Sequence, residues 1–138
     1  DRNPRRATRE AELLAAVWPG RAGESVLDLP CGAGRLLPLL RDRFGHRVVQ
    51  GDGALAMLRT ADERGRAAER VQADALAMPF ADAAVDGVVV FRFLHHLPPD
   101  AQRLVVAEAC RVAGRFVVVS FFHPCSAHHL QRVLRGWL

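Results

Sequence analysis

The 138-residue sequence contains no lysine and no tyrosine, and all 19 of its strongly basic residues are arginine. These arginines are interleaved with acids, as in RTADERGRAAER, so they make a mixed solvated surface instead of a basic stripe. A nucleic-acid partner is therefore not expected, despite a net charge of +4 and a pI near 10.1. Cysteine is scarce. Cys31, Cys110 and Cys125 are odd in number and show no paired spacing, which argues against a disulfide framework and suits a reducing compartment. No apolar run approaches the ~20 residues needed to cross a bilayer. The opening DRNPRRATRE has no apolar centre of the kind a signal peptide carries. Repeats, low-complexity tracts and internal linkers are also missing. The expectation is one soluble, cytoplasmic domain spanning residues 1–138.

What is present is ordinary globular material: 50% hydrophobic and 25% charged residues. Short β-rich runs alternate with helix-forming stretches. The pattern predicts a helix over 7–18, stopped by Pro19-Gly20, and strands over 25–29, 47–52, 71–74, 85–91 and 115–122. Between them it predicts a helix bearing Leu36, Leu37, Leu39, Leu40 and Phe44 on one face and ending near Gly45, and another over 54–65. A third is capped by Asp100 and stopped by Gly114, and a last amphipathic helix covers 126–138. The run VDGVVVF is nearly all apolar, as a strand buried on both faces should be. Such alternation implies an α/β fold with a parallel sheet covered by helices on both faces, and a ligand site at the carboxyl ends of its strands.

The expected strand tips carry the chemistry. SVLDLPCGAGR puts Asp28 and then Gly32 and Gly34 after the first strand, Asp52 and Gly53 follow the second, and Asp74 and Ala75 follow the third. Closely spaced glycines let backbone approach a ligand and take positive φ. A carboxylate at the second tip can accept both hydroxyl protons of a ribose. A dinucleotide loop would need a third glycine three residues after the second, but Leu37 stands there and disfavours a nicotinamide-dependent oxidoreductase.

With VVQGDGALAML, VQADALAMPFADAAVDGVVV, FRFLHHLPP and EACRV following in order, the sequence resembles the class I S-adenosylmethionine-dependent methyltransferases. It is most similar to the small-molecule branch that includes ubiquinone and menaquinone biosynthesis enzymes. The resemblance covers nearly the whole chain and departs from the usual first motif at Pro30, where glycine is normal. It implies a Rossmann-like three-layer sandwich with a mostly parallel sheet. It also implies S-adenosylmethionine as cofactor and a small-molecule methyl acceptor with an O, N or C nucleophile.

Carried over by position, Asp28, Pro30, Cys31, Gly32 and Gly34 would hold the methionine part. Asp52 would take the ribose hydroxyls, with Gly53 and Met57 beside the adenosine. Asp74 and Ala75 would meet the adenine edge, and Phe91 and Arg92 would lie near the reacting methyl or carboxylate end. The plainer reading of Asp28 and Asp74 is turn or helix capping.

His95 and His96 are candidate general bases, their plainer reading being a helix-start pair bonded to backbone. His123, Cys125, His128 and His129 are chemically good zinc ligands. Pro124 and Ser126 account for that stretch as a strand-to-helix joint, so no metal site is expected. Glu108 and Arg111 read as a surface pair of small energetic consequence. Class I enzymes have seven strands where five are visible here, so two C-terminal strands are expected to be missing. The fifth strand would then be an edge able to pair with a second copy. The alternative function is a non-catalytic methyltransferase-like binding or assembly module.

Overall fold

The computed structural model describes residues 4–63 and 68–121, with side chains from residue 8 onward. The first helix, α1, is Pro4–Val17; β1 is Ser25–Asp28; β2 is Arg47–Asp52; α2 is Leu55–Glu63; β3 is Glu69–Gln72; β4 is Val85–Val90; α3 is Pro99–Val112; and β5 is Ala113–Val119. The five strands form one sheet in the order β3-β2-β1-β4-β5, and every pairing is parallel. This is the expected α/β, Rossmann-like arrangement. Strand order reverses beside β1, so the crevice between the tips of β1, β2 and β4 is where a ligand site belongs.

Both faces of the sheet are covered. Leu27, Val88 and Val90 face one way and pack with Val105, Ala109 and Val112 of α3. Val26, Val48 and Val89 face the other way, against Leu37 and Leu40, with Trp18, Phe44 and Phe116 around them. Each fully buried aliphatic side chain contributes roughly 1.5–3 kcal/mol relative to exposure, which offsets the ordering of strands only four to seven residues long. Phe116 lies directly over Gly87, where a Cβ would fall 2.2 Å from the ring. An irregularity beside this contact sets three residue steps of β5, Ala113 to Phe116, against two of β4, Val85 to Gly87.

Several local expectations need correction. The helix after the glycine turn is a π-helical segment, Pro38–Arg43, in which Phe44 N–H donates to the Leu39 carbonyl five residues back. Pro38 has no N–H to give to a regular helix running through it. Leu37, Leu39 and Leu40 are buried as expected, while Leu36 borders a cavity. The third strand starts and ends two residues before the predicted 71–74, because Asp74 leaves the ladder to form an isolated bridge with Ala77.

Asp100 does not cap α3. Pro98 occupies the cap position with extended backbone, Pro99 opens the helix, and Asp100 sits in the first turn, paired with Arg103 at 3.1 Å. Gly114 does not stop that helix either: it lies inside β5, which begins as soon as α3 ends. The predicted helix over 126–138 and the His123, Cys125, His128, His129 group lie outside the described residues. No described helix is long and apolar enough to cross a membrane.

Candidate active site

The loop after β1 is built by backbone geometry. Gly32 and Gly34 take φ of +54° and +73°, in the left-handed region that side chains disfavour, as the glycine spacing predicted. At Gly34 a Cβ would also stand 3.1 Å from Gln50 Nε2 and 3.2 Å from Ala61 Cβ. The turn is tied down by Cys31 N–H donating to the Gly51 carbonyl at 2.7 Å and Gly34 N–H donating to the Cys31 carbonyl at 3.1 Å. Pro30 follows a cis peptide and has a normal negative φ, so the glycine it replaces is not needed there for positive φ.

Asp52 closes the loop onto β2. Its Oδ2 accepts Gly32 N–H and its Oδ1 accepts Ala54 N–H, both at 2.8 Å, and the carboxylate is nearly buried. A carboxylate offers about four acceptor positions, so two backbone donors leave it able to accept from a ligand's hydroxyls.

Asp28 is different. It is 1% exposed, and neither carboxyl oxygen has a hydrogen-bond partner among the described residues. Burial first, and the nearby Asp52 charge second, push its carboxyl up to about 8. It performs no capping, contrary to the plainer reading. Gln50, its register partner on β2, is fully buried, and both of its amide atoms also lack partners. Burial, followed by the charges of Asp28 and Asp52, also pushes the Cys31 thiol up to about 12, so it stays protonated and unreactive at neutral pH.

Two adjoining cavities open at the strand tips. The first, about 560 Å³, brings together Pro30, Asp52, Gly53, Asp74, Ala75 and Phe93. The second, about 780 Å³, is lined by Asp28, Pro30, Cys31, Gly32 and Asp52 together with Met57, Phe91, Arg92 and His96. Pro30, Asp52 and Phe93 border both. Among the described residues read as site candidates, only Gly34 and His95 line neither cavity. Gly34 is buried beneath the loop, and His95 sits half-buried with its ring 3.8 Å from that of His96. Asp74 does cap: its Oδ1 accepts Leu76 N–H at 2.8 Å while the residue lines the first cavity.

The loop beyond Asp74 corrects another expectation. Arg111 is no simple surface partner of Glu108. It donates to both Glu108 oxygens, to the Phe80 carbonyl at 2.7 Å, to the Met78 carbonyl at 3.0 Å and to Asp82 at 2.9 Å. Glu108 in turn accepts Met78 N–H at 2.7 Å. Hydrogen bonding to Arg111 holds the Glu108 carboxyl at about 2, and the same contacts raise Arg111 above its ordinary range. The pair clasps the segment that follows the Asp74 tip to α3.

Glu10, Arg35, Gln50 and Phe93 were missed from sequence. Glu10 Oε2 lies 2.8 Å from Arg35 Nη2, and its Oε1 lies 3.6 Å from Arg92 Nη1. An acid in the first helix carries no local mark of partners 25 and 82 positions away. Gln50 did leave a signal, being a polar residue that directly follows the apolar pair Val48-Val49.

The family model for a methyltransferase domain matches residues 26–115, spanning β1 to the start of β5 and therefore every strand tip described above. The chain belongs to the class I S-adenosylmethionine-dependent methyltransferases. It is 36% identical over 134 residues to a demethylmenaquinone methyltransferase of Thermobifida fusca, a match covering 91% of this chain and 55% of that protein. Over 71 residues it is 49% identical to a trans-aconitate 2-methyltransferase of Paracidovorax citrulli, covering 51% and 27% of the two chains. The crystal structure of protein PH0226 from Pyrococcus horikoshii superimposes with a TM-score of 0.77 at 28% identity, over 98% of this chain and 61% of that one. The chain thus spans about half the length of the curated relatives it matches. S-adenosylmethionine is the cofactor of this methyltransferase family, and the residues at the strand tips suit it. A buried carboxylate with no described partner, at Asp28, calls for a cation, and this cofactor is cationic at both its ammonium and its sulfonium.

Proposed function

We propose that residues 1–138 form the cofactor-binding part of an enzyme that methylates an O, N or C nucleophile of a small molecule. The observation that carries this reading is Asp28, a carboxyl buried without described partners on the wall of a cavity that Asp52 also borders. A methyl donor bearing an ammonium supplies the missing charge, and hydrogen bonds from that cation favour the ionised carboxylate.

In this reading Asp28 and the Pro30–Gly34 loop receive the methionine arm, largely through backbone groups. Asp52 accepts the ribose hydroxyls, Gly53 and Met57 flank the adenosine, and Asp74 and Ala75 meet the adenine edge. Phe91 and Arg92 border the reacting end. When bound, S-adenosylmethionine supplies an electrophilic sulfonium methyl and leaves as S-adenosylhomocysteine. The residues of this chain act by aligning acceptor and donor and by keeping water away. His96 reaches the cavity wall and could take a proton from a hydroxyl or amine acceptor. The relatives named above support a small-molecule acceptor, and the shared family supports transfer over a non-catalytic role.

Calorimetric titration with S-adenosylmethionine and S-adenosylhomocysteine tests the reading. Binding of both is expected, and a folded sample that binds neither at millimolar concentration overturns it.

A further inference from the structure

The second cavity is lined by charges of both signs. Asp28 and Asp52 border it, and so do Arg35 and Arg92, with Leu36, Phe91 and Phe93 among them. The two arginines come from separate strand tips, yet Glu10 of α1 binds both through its two oxygens. The Arg35 guanidinium also lies 5.9 Å over the Phe91 ring, which fixes its plane against the cavity wall. Arg92 has φ of +55°, a conformation an arginine seldom adopts, and its N–H is held by Ser120 Oγ at 2.6 Å. Strain of this kind persists where the surroundings over-determine it, commonly at ligand sites. Both guanidiniums are about 30% exposed, a partly desolvated setting in which a charge-assisted bond is strong.

We propose that the methyl acceptor is a small carboxylic acid, and that Arg35 and Arg92 receive its carboxylate on the cavity side. The planar guanidinium fork matches a planar carboxylate, and the Glu10 carboxylate already pairs with both arginines within the protein. The aromatic and aliphatic lining beside it suits the acid's carbon skeleton. Arg35, Arg92 and Glu10 become specificity residues: the arginines touch the acceptor, and Glu10 positions them. This assignment rests on the methyltransferase reading above, because it takes Asp28 and Asp52 of the same cavity as the cofactor's partners.

The test titrates the chain, loaded with S-adenosylhomocysteine, with benzoate, succinate and citrate and with the methyl ester of each. At least one acid is expected to bind at least tenfold more tightly than its ester. Arg35→Gln and Arg92→Gln should each weaken that acid about tenfold, and more than they weaken S-adenosylhomocysteine. Arg35→Lys should restore part of the loss, and Glu10→Gln should shift acid affinity without touching the ester. Equal binding of acids and esters, or no binding of either, overturns the proposal. So does a loss of cofactor affinity in the glutamine variants as large as the loss of acid affinity, which would assign the arginines to the cofactor's own carboxylate. Failure of S-adenosylhomocysteine itself to bind sinks the prior reading instead. Acid titrations of the unloaded chain then decide the arginine assignment separately, by the same acid-over-ester criterion.

Discussion

The two ends of the sheet handle polar groups in opposite ways. At the amino ends of β1, β4 and β5 the polar side chains are matched. Asp86 accepts the N–H and hydroxyl of Ser25, both at 2.8 Å, and Glu24 accepts Arg21 N–H and pairs with Arg115. Trp18 donates its indole N–H to His46 Nε2 at 2.8 Å, which puts the imidazole proton on Nδ1, facing the Glu24 carbonyl at 3.3 Å. Stacking of Trp18 on Phe44 at 5.1 Å and the edge contact with Phe116 at 5.6 Å complete a closed cluster. At the carboxyl ends Asp28 and Gln50 are buried without described partners, and Arg92 is strained. Polar groups satisfied within the chain stabilise it, whereas groups left waiting for a ligand cost stability that binding returns.

The sharpest way to break this contrast is at Asp52. Asp52→Ala is expected to weaken S-adenosylhomocysteine by about 100-fold, the loss of two charge-assisted hydrogen bonds at roughly 1.5 kcal/mol each. Calorimetry reads it, and an unchanged affinity would place the ribose elsewhere.

Asp28→Asn comes next and should act in two directions. Cofactor affinity should fall about tenfold, while the unliganded protein becomes more stable. The folded carboxyl keeps its proton until about pH 8, whereas the unfolded one ionises near 4. Between those values the native state binds the extra proton, so stability falls as pH rises, by up to about 1.4 kcal/mol per unit. The asparagine variant removes that slope. Melting curves from pH 5 to 8.5 check it, with a gain of roughly 4 °C for each 1 kcal/mol recovered. A variant that melts lower at pH 8 would contradict the assignment.

Asp86 at the other end carries the opposite sign. Bonds from Ser25 lower its carboxyl below the ordinary value, so its stabilisation is present above about pH 4 and lost as pH falls further. Ser25→Ala is expected to lower the melting temperature by a few degrees at pH 7 and leave cofactor affinity untouched. An effect on binding would show that the two ends are not separable.

Among the variants expected to weaken binding at all, Arg111→Met has the smallest effect. Freed carbonyls at Met78 and Phe80 should cost several degrees of melting temperature, with a loss of cofactor affinity below threefold because only the segment beyond Asp74 loosens.

The division between ends also explains what could be read from sequence. Strands announce themselves because a sheet covered on both faces demands apolar runs, and RVVQGD and VDGVVV gave β2 and β4 nearly to the residue. The glycine loop and three acidic tips were legible because each is local: a side chain, a turn and a spacing. Arg35 with Glu10, Arg92 with Ser120, and Arg111 with Met78 were not, since each joins elements 25 or more positions apart and depends on strand order. Helix ends failed for a related reason. Asp100 and Gly114 have the right chemistry for caps, but Pro99 had already opened α3, and the sheet claimed Gly114.

The ring of Phe116 in the hollow of Gly87 acts as a datum mark. From that contact the chain runs four residues along and just past β5 to Ser120, about 13 Å at strand rise, and there meets the Arg92 N–H. A slip of one residue would carry Ser120 along by about 3.3 Å and turn its hydroxyl to the opposite face. The missing side chain of one glycine, near the closed end of the sheet, is therefore the gauge by which an arginine at the open end is set in place.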